Sequence, residues 1–408
     1  MKRVALLCLG LALGAANAAE AQLTMQMSNG WSFTFAGNVN AFIIYQQGKT
    51  CTPPGGDCAT SSKDNSFGTG LLPAFAVFDA KGKEDNVDLG VHFGFAPQIE
   101  TGGHYASFFG SQAAGAQIDM RQVYLTAGGT WGQLLMGKEL GLFQRGNILN
   151  DMTLLGVGVG GGGRGTALGR IGYGYLYTDF RPQLTYSTPA GKSTSFSIGL
   201  FEGIGAFPYE TLELPRVEGE FTYSGKSGEN TNFKFFLNGA AQTAKSAPTG
   251  TTENLTSTGV GGGATVDLSG FALHASGFYA KGMGSLFMGD ACCTGPEDGR
   301  INTDGVDAAG DGRNSFGYIG QITWMKADSK FGIGASYGEN HLKQTDADQA
   351  LSGNDNEILK RRAIIGQLTY KWSKSLRWVA EYGHIQNFSG GEEASKSDQG
   401  SVGMMLFF

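Results

Sequence analysis

Charged residues are sparse in this chain, and the longest stretch that breaks its general pattern, Lys138 to Tyr177, concentrates several of them. Lys138, Glu139, Arg145, Asp151, Arg164 and Arg170 are spaced along it, around the run Gly156 to Gly165, which is almost all glycine. Opposed fixed charges of this kind, held in confined water, orient dipolar solutes and select ions. Phosphate binding is not indicated, because no Gly-Lys-Ser/Thr ending and no following helix accompanies the glycines. A second pair with reactive chemistry is His274 and Ser276, two apart in an extended segment and therefore on one face. That pair has the residue types of an esterase base and nucleophile. A third cluster, from Asp290 to Arg313, holds Asp290, Glu297, Asp298, Asp304, Asp307 and Asp311. Arg300 occupies the position where the first acid of a calcium loop would sit, so these charges read as a solvated outer face. No cofactor and no metal is called for.

The elements that must position these residues follow from the rest of the chain. Only 16% of residues are charged and Gly is 67 of 408. Beyond residue 18 no apolar run is long enough for a membrane helix. Apolar and polar residues instead alternate in segments of ten or so, broken by Gly, Asn, Asp, Ser and Pro, with aromatics at the segment ends. This is the signature of a strand-built membrane protein with interfacial girdles. In the first segment Trp31, Phe33, Phe35, Val39, Ala41, Ile43 and Tyr45 share one face, and Ser32, Thr34, Asn38, Asn40 and Gln46 the other. Fifteen further segments follow, starting near Leu71, Val87, Ile118, Gly132, Asp179, Ser193, Val217, Phe233, Val260, Phe271, Phe316, Phe331, Ile364, Leu376 and Gly400. Turns are short at one end and loops long at the other. The fold class is all-β: a transmembrane antiparallel β-barrel of about 16 strands, with a long infolded loop over about 140–177 that narrows the bore.

The N-terminus reads as a secretory signal over residues 1–18, with Lys2 and Arg3 ahead of the apolar run Val4 to Ala16 and a small-x-small site at Ala16-Asn17-Ala18. The barrel then covers 19–408. Without Lys2 and Arg3 there are 28 basic against 36 acidic residues, a net charge of −8, so nucleic acid is not the partner. Export permits disulfides. Cys51 and Cys58 are the favoured pair, because the residues between them, TPPGGD, are turn formers; the pairing of Cys292 and Cys293 stays open.

At the chain end Val402, Met404, Leu406 and Phe408 share a face, and Phe408 is the last residue. This resembles the assembly signal of outer-membrane barrels. Across most of the mature chain the sequence resembles the general bacterial porins, trimeric sixteen-stranded diffusion channels of the Gram-negative outer membrane. The likeness is carried by Arg121-Gln-Val-Tyr-Leu, by Gly132 to Lys138, by Asn150-Asp151-Met152 and by Tyr186-Ser-Thr-Pro189. The resemblance implies that Arg121 and Lys138 belong to a basic ladder on the pore wall and that Asp151 is a loop acid facing it. Arg181, in phase with Gln183 and Thr185, is a third ladder candidate. It also implies a homotrimer, outer-membrane lipids and lipopolysaccharide around the barrel, and delivery by the barrel-assembly machinery. A second loop acid and a Pro-Glu-Phe-Gly-Gly-like stretch, typical of that family, are replaced here by Leu154-Leu155 and the glycine run.

Taken together, the expected function is passive diffusion of small hydrophilic solutes and ions. Arg121, Lys138, Arg145, Arg164, Arg170 and Arg181 outnumber Glu139 and Asp151 at the presumed constriction, which predicts a mild anion preference. The alternative is a substrate-specific channel for sugars or small organic anions, followed by an outer-membrane enzyme or an adhesin.

Overall fold

Period-two alternation needs a partner on both edges of every strand, since an unpaired backbone cannot face hydrocarbon. The computed structural model, which describes residues 23–99, 118–160, 167–205, 209, 211–245, 254–285, 305–307, 310–326, 328–350 and 359–408, meets that need by closing one antiparallel sheet on itself. In chain order the strands are β1 Leu23–Gln26, β2 Ser32–Cys51, β3 Cys58–Gly68, β4 Phe75–Glu84, β5 Val87–Pro97, β6 Ile118–Gly129 and β7 Gly132–Leu140. After the loop 141–179 come β8 Phe180–Ser187, β9 Thr194–Phe201, β10 Arg216–Ser227, β11 Thr231–Lys245, β12 Asn254–Leu268 and β13 Phe271–Lys281. The last are β14 Asn314–Trp324, β15 Phe331–Leu342, β16 Lys360–Lys371, β17 Leu376–Ser389 and β18 Glu392–Phe407.

These eighteen segments form a barrel of sixteen staves. β3 lies along the Phe42–Cys51 part of β2, and β4 along its Ser32–Asn38 part, so β3 and β4 share one stave. β1 pairs with β2 from Ser32 to Phe35, below the point where β18 gives out opposite Asn38, and completes the last stave. β18 against β2 closes the ring. The alternation fixes which face each side chain takes. Val39, Phe93 and Leu406 point outward at 55%, 40% and 46% exposure, while their neighbours Phe42, His92 and Met405 are buried inside.

Several strands run further toward the long loops than alternation predicts: β2 reaches Cys51 and β18 starts at Glu392 rather than Gly400. There the outward face carries Lys49, Lys396 and Asp398, so the apolar signal ends before the strand does. The Cys51–Cys58 pair sits at this end as a disulfide joining β2 to β3. The predicted signal segment 1–18, Arg164, and the pair Cys292 and Cys293 lie outside the described residues. Of the acidic run, Asp307, Asp311 and Arg313 are described; Arg313 binds Asp348 of the short helix α2 (Asp346–Ala350) at 2.6 and 2.8 Å, tying two loops together. Burial raises the Asp348 carboxyl, but the Arg313 and Thr345 donors outweigh it and hold the group below the usual range.

Phe408 exchanges two backbone hydrogen bonds with Gly37, 2.8 and 3.0 Å, and its ring lies 5.3 Å from that of Phe35. Deleting Phe408 removes both bonds at the seam of the barrel, a loss of about 1–3 kcal/mol. The expected readout is a lower temperature for conversion from the folded to the unfolded band in detergent gels; an unchanged temperature refutes the contribution.

Candidate functional site: the loop-filled bore

The loop 141–179 leaves β7, turns inward and runs round the interior. It contains the helix α1, Arg145–Leu149, and a 3-10 turn, Met152–Leu155. Its interior position is shown by its partners, which come from the inward faces of β10, β11 and β13 to β18. Glu218 of β10 accepts from the backbone N–H groups of Leu142 and Phe143 at 2.7 and 2.9 Å. Asn147 reaches Ser276 of β13 at 3.0 Å. Gln321 of β14 accepts from Met152 N and donates to Asn150 O, and Gln367 of β16 donates to Met152 O. On the far side Glu381 of β17 accepts from Val157 N and Gly158 N at 2.7 and 2.8 Å. Gln399 of β18 brackets Gly158 and Gly160, and Asn340 of β15 brackets Gly174 and Tyr175.

The glycine run is explained by this clamp. A Cβ on Gly156 would overlap the Glu381 carboxylate, and Gly158 has φ of 59° with its α-carbon against the backbone of Gly169. Only glycine allows that conformation and that approach at no cost. Behind the clamp an apolar cluster seals the loop to the wall: Leu154, Val157, Ile171 and Tyr175 pack with Phe42, Ile44, Val379 and Met405. The break between β3 and β4 belongs to the same contact, since Leu71 N and Leu72 N donate to Gly156 O and Leu154 O. The arc from β5 to β9 receives only the two ends of the loop and is the part of the wall left facing it.

The charged residues singled out in the sequence are placed as follows. Arg121 points inward, at a bulge where Gly94 and Phe95 oppose Gln122 and Met120 and skip it. Its Nε meets Asp119 at 2.7 Å and its guanidinium lies over the Phe180 ring. Arg181 also points inward and is shared between Asp179 at 3.4 Å, Glu202 at 3.8 Å and the carbonyl of Gly203 at 2.9 Å. Arg145, on α1, pairs with Glu220 of β10 at 2.6 Å.

Four expectations are corrected. Lys138 is not on the pore wall: it stands opposite Val123 and Pro182, in phase with the exposed Leu134 and Met136, on the outward face. Glu139 belongs to strand β7 rather than to the loop, and is buried with its carboxylate on Gln122 and on the Leu140 N–H. Asp151 does not face the wall across water. It caps the 3-10 turn through Thr153 and accepts from Arg170 N and the Tyr175 hydroxyl, all inside the loop. Arg170 is fully buried; its guanidinium donates to Ser336 O and Oγ, Tyr173 O and Ala363 O, and so fastens the loop to β15 and β16.

The residues that position the loop, Glu218, Glu220, Glu381, Asn340 and Gln399, were not found by motif. Their signal was available: each is polar or acidic in the inward phase of a strand, at a level where the outward phase is apolar. His274 and Ser276 do meet inside the barrel, with Nε2 3.0 Å from Oγ. The other ring nitrogen meets the Thr265 hydroxyl at 2.9 Å, where a hydrolytic triad has an acid, and Asn147 of the loop covers the serine.

Comparisons with known proteins agree with this architecture. A family model described as Gram-negative porin matches residues 5–389. No curated protein matches the chain in sequence. Among solved structures, the outer membrane channel DcaP of Acinetobacter baumannii superposes with a TM-score of 0.68 at 14% identity, covering 94% of this chain and 99% of that one. The anion-selective porin from Comamonas acidovorans gives 0.59 at 13% identity, covering 93% and 100%. Salmonella typhi OmpF in complex with daunomycin gives 0.51 at 14%, covering 95% and 100%. At such identities the structural likeness speaks for the fold, and the family match speaks for descent. With sixteen staves, an inward loop and a family model spanning nearly its whole length, this chain belongs to the Gram-negative porin family.

Proposed function

We propose that the protein lets small hydrophilic solutes and ions diffuse passively across the outer membrane through a bore held narrow by the loop, with little preference for either sign of charge. Its family makes it an outer-membrane channel rather than an enzyme. The observation that carries the finer reading is the fastening of the loop backbone at both ends of its inward course, by Glu218 and by Glu381. A barrel of this circumference leaves a water channel, and a loop so held excludes by size.

The mild anion preference expected from the sequence loses its support. Of the six basic residues behind it, Arg170 is buried, Lys138 points outward and Arg164 lies outside the described residues. Arg121, Arg145 and Arg181 remain inside, each beside a carboxylate. Paired charges at a narrowing leave a weak net field. A zero-current potential close to zero in a salt gradient is the expected result; clear anion or cation selectivity would reject the pairing. Liposome swelling with sugars of graded size is expected to fall smoothly with mass. One strongly preferred solute would instead establish a substrate-specific channel, for sugars or small organic anions, and no swelling would refute passive diffusion.

Assembly as a homotrimer, with outer-membrane lipids on the outward faces and Phe408 as the signal read by the assembly machinery, completes this reading. The supporting resemblance lies in the residues quoted for the family and in the seam that Phe408 makes with Gly37.

A further inference from the structure

The register across the last staves sets one row of outward side chains at a single level: Tyr318, Glu339, Arg362, Gln386, Lys396 and Lys49, running from β14 to β18 and on to β2. The row lies at the long-loop end. Two levels below it, toward the short turns, come Tyr382 and Tyr45, exposed aromatics of the kind that mark the membrane interface. Being outward, these charges cannot serve the channel. Being charged, they cannot sit in hydrocarbon. They therefore stand at the depth of the lipid head groups.

Their arrangement brings like charges together. Lys49 lies directly opposite Lys396, a cross-strand pairing that is unfavourable by itself. Lys360 and Arg362, two apart on the same face of β16, both lie over the ring of Phe388, with Nζ at 3.9 Å and Cζ at 4.9 Å from its centroid. The nearby acids are already engaged. Glu339 accepts from Tyr318, Tyr337 and His341, and Glu393 from Lys396 and Gln386. A charge row of this sign at this depth is complementary to an anion in the outer leaflet.

We propose that the row from Arg362 and Lys360 to Lys49 docks the phosphorylated sugar head group of an outer-leaflet glycolipid. Three strand spacings, ~14 Å, separate the two ends, a span that suits a head group with a phosphate at each end better than one small anion. Phe388 provides a flat apolar surface between the cations on which a sugar ring or the start of an acyl chain can rest. The proposal rests on the outer-membrane reading above, but not on how the channel conducts.

The test uses the purified full chain in detergent, with diphosphorylated lipid A as probe and retention read by native mass spectrometry. Wild-type protein is compared with Lys360→Gln/Arg362→Gln, with Lys49→Gln/Lys396→Gln and with all four changes. The expected result is retention that falls stepwise and at least about tenfold in the fourfold variant (about 1.4 kcal/mol per factor of ten), with lipid A stripped of phosphate held no better by wild type than by that variant. The charge-keeping pair Lys360→Arg/Arg362→Lys is expected to retain the lipid, which separates lost charge from lost folding. Equal retention by wild type and fourfold variant overturns the proposal, as does equal retention of the phosphate-free lipid. Cross-links joining Lys49 or Lys396 of two copies in the native membrane also overturn it, since a second copy then covers the row. Single-channel conductance, measured on the same preparations, is expected to stay at the wild-type value; its absence in all of them would refute the channel and leave the lipid result standing.

Discussion

Replacing Glu218 and Glu381 together by alanine is expected to raise single-channel conductance roughly twofold, since current through a wide pore follows its open cross-section, and to admit larger sugars in liposome swelling. The two carboxylates accept four backbone N–H groups of the loop, all between 2.7 and 2.9 Å. A hydrogen bond to a charged group contributes ~1.5–3 kcal/mol, and the N–H groups left behind would be buried without partners. Each carboxylate therefore holds its end of the loop by several kcal/mol, which is comparable to the stability of a local unit. The barrel does not depend on this clamp, because its own ladder hydrogen bonds and outward apolar face are untouched. Glu218→Gln with Glu381→Gln keeps an acceptor oxygen at each site and is expected to lie between wild type and the alanine pair. If conductance, current noise and size cut-off all stay at the wild-type values, the loop is held by its apolar seal alone and the clamp is incidental.

A similarly large effect, of different kind, is expected from Arg170→Met. The guanidinium donates to three carbonyls and one hydroxyl in a site closed to water. Removing a buried charged partner of this kind costs about 3–5 kcal/mol. The expected result is a loop cut by proteinase K within an otherwise folded barrel, together with noisier current. The zero-current potential is expected to stay close to the wild-type value, because Arg170 contributes no charge to the water path. A shift of the potential toward cations with no gain in protease sensitivity would place Arg170 in the pore after all.

These two variants bear on how much was legible in the sequence. The staves were. Val39, Phe93 and Leu406 take the outward face because side chains alternate with period two whatever lies beside the strand. β5 and β13 begin and end where the alternation says. The phase also places Lys138 correctly when it is read with Leu134 and Met136; only the transfer of a family role put it on the wall. Less legible were β3, whose side chains are mostly exposed on both faces, and β1, which is four residues long. Neither carries a buried face, so neither leaves a pattern.

The charges of the loop were legible as present and not as placed. Arg170, Asp151 and Glu139 looked alike as isolated charges beside glycine, where the ordinary expectation is solvent. Their partners decide otherwise, and those partners are remote: Ser336 and Ala363 for Arg170, and Glu381 for the backbone at Gly158. What the sequence determined alone is the two-faced ribbon, its approximate number and the existence of one loop too long to be a turn, since each is a property of neighbours in the chain. Tertiary structure decided that the loop is clamped by wall carboxylates and that its arginine is a fastening rather than a filter. A buried hydrogen bond forms only where the donor and acceptor are brought together, and no local pattern encodes a contact more than a hundred residues away.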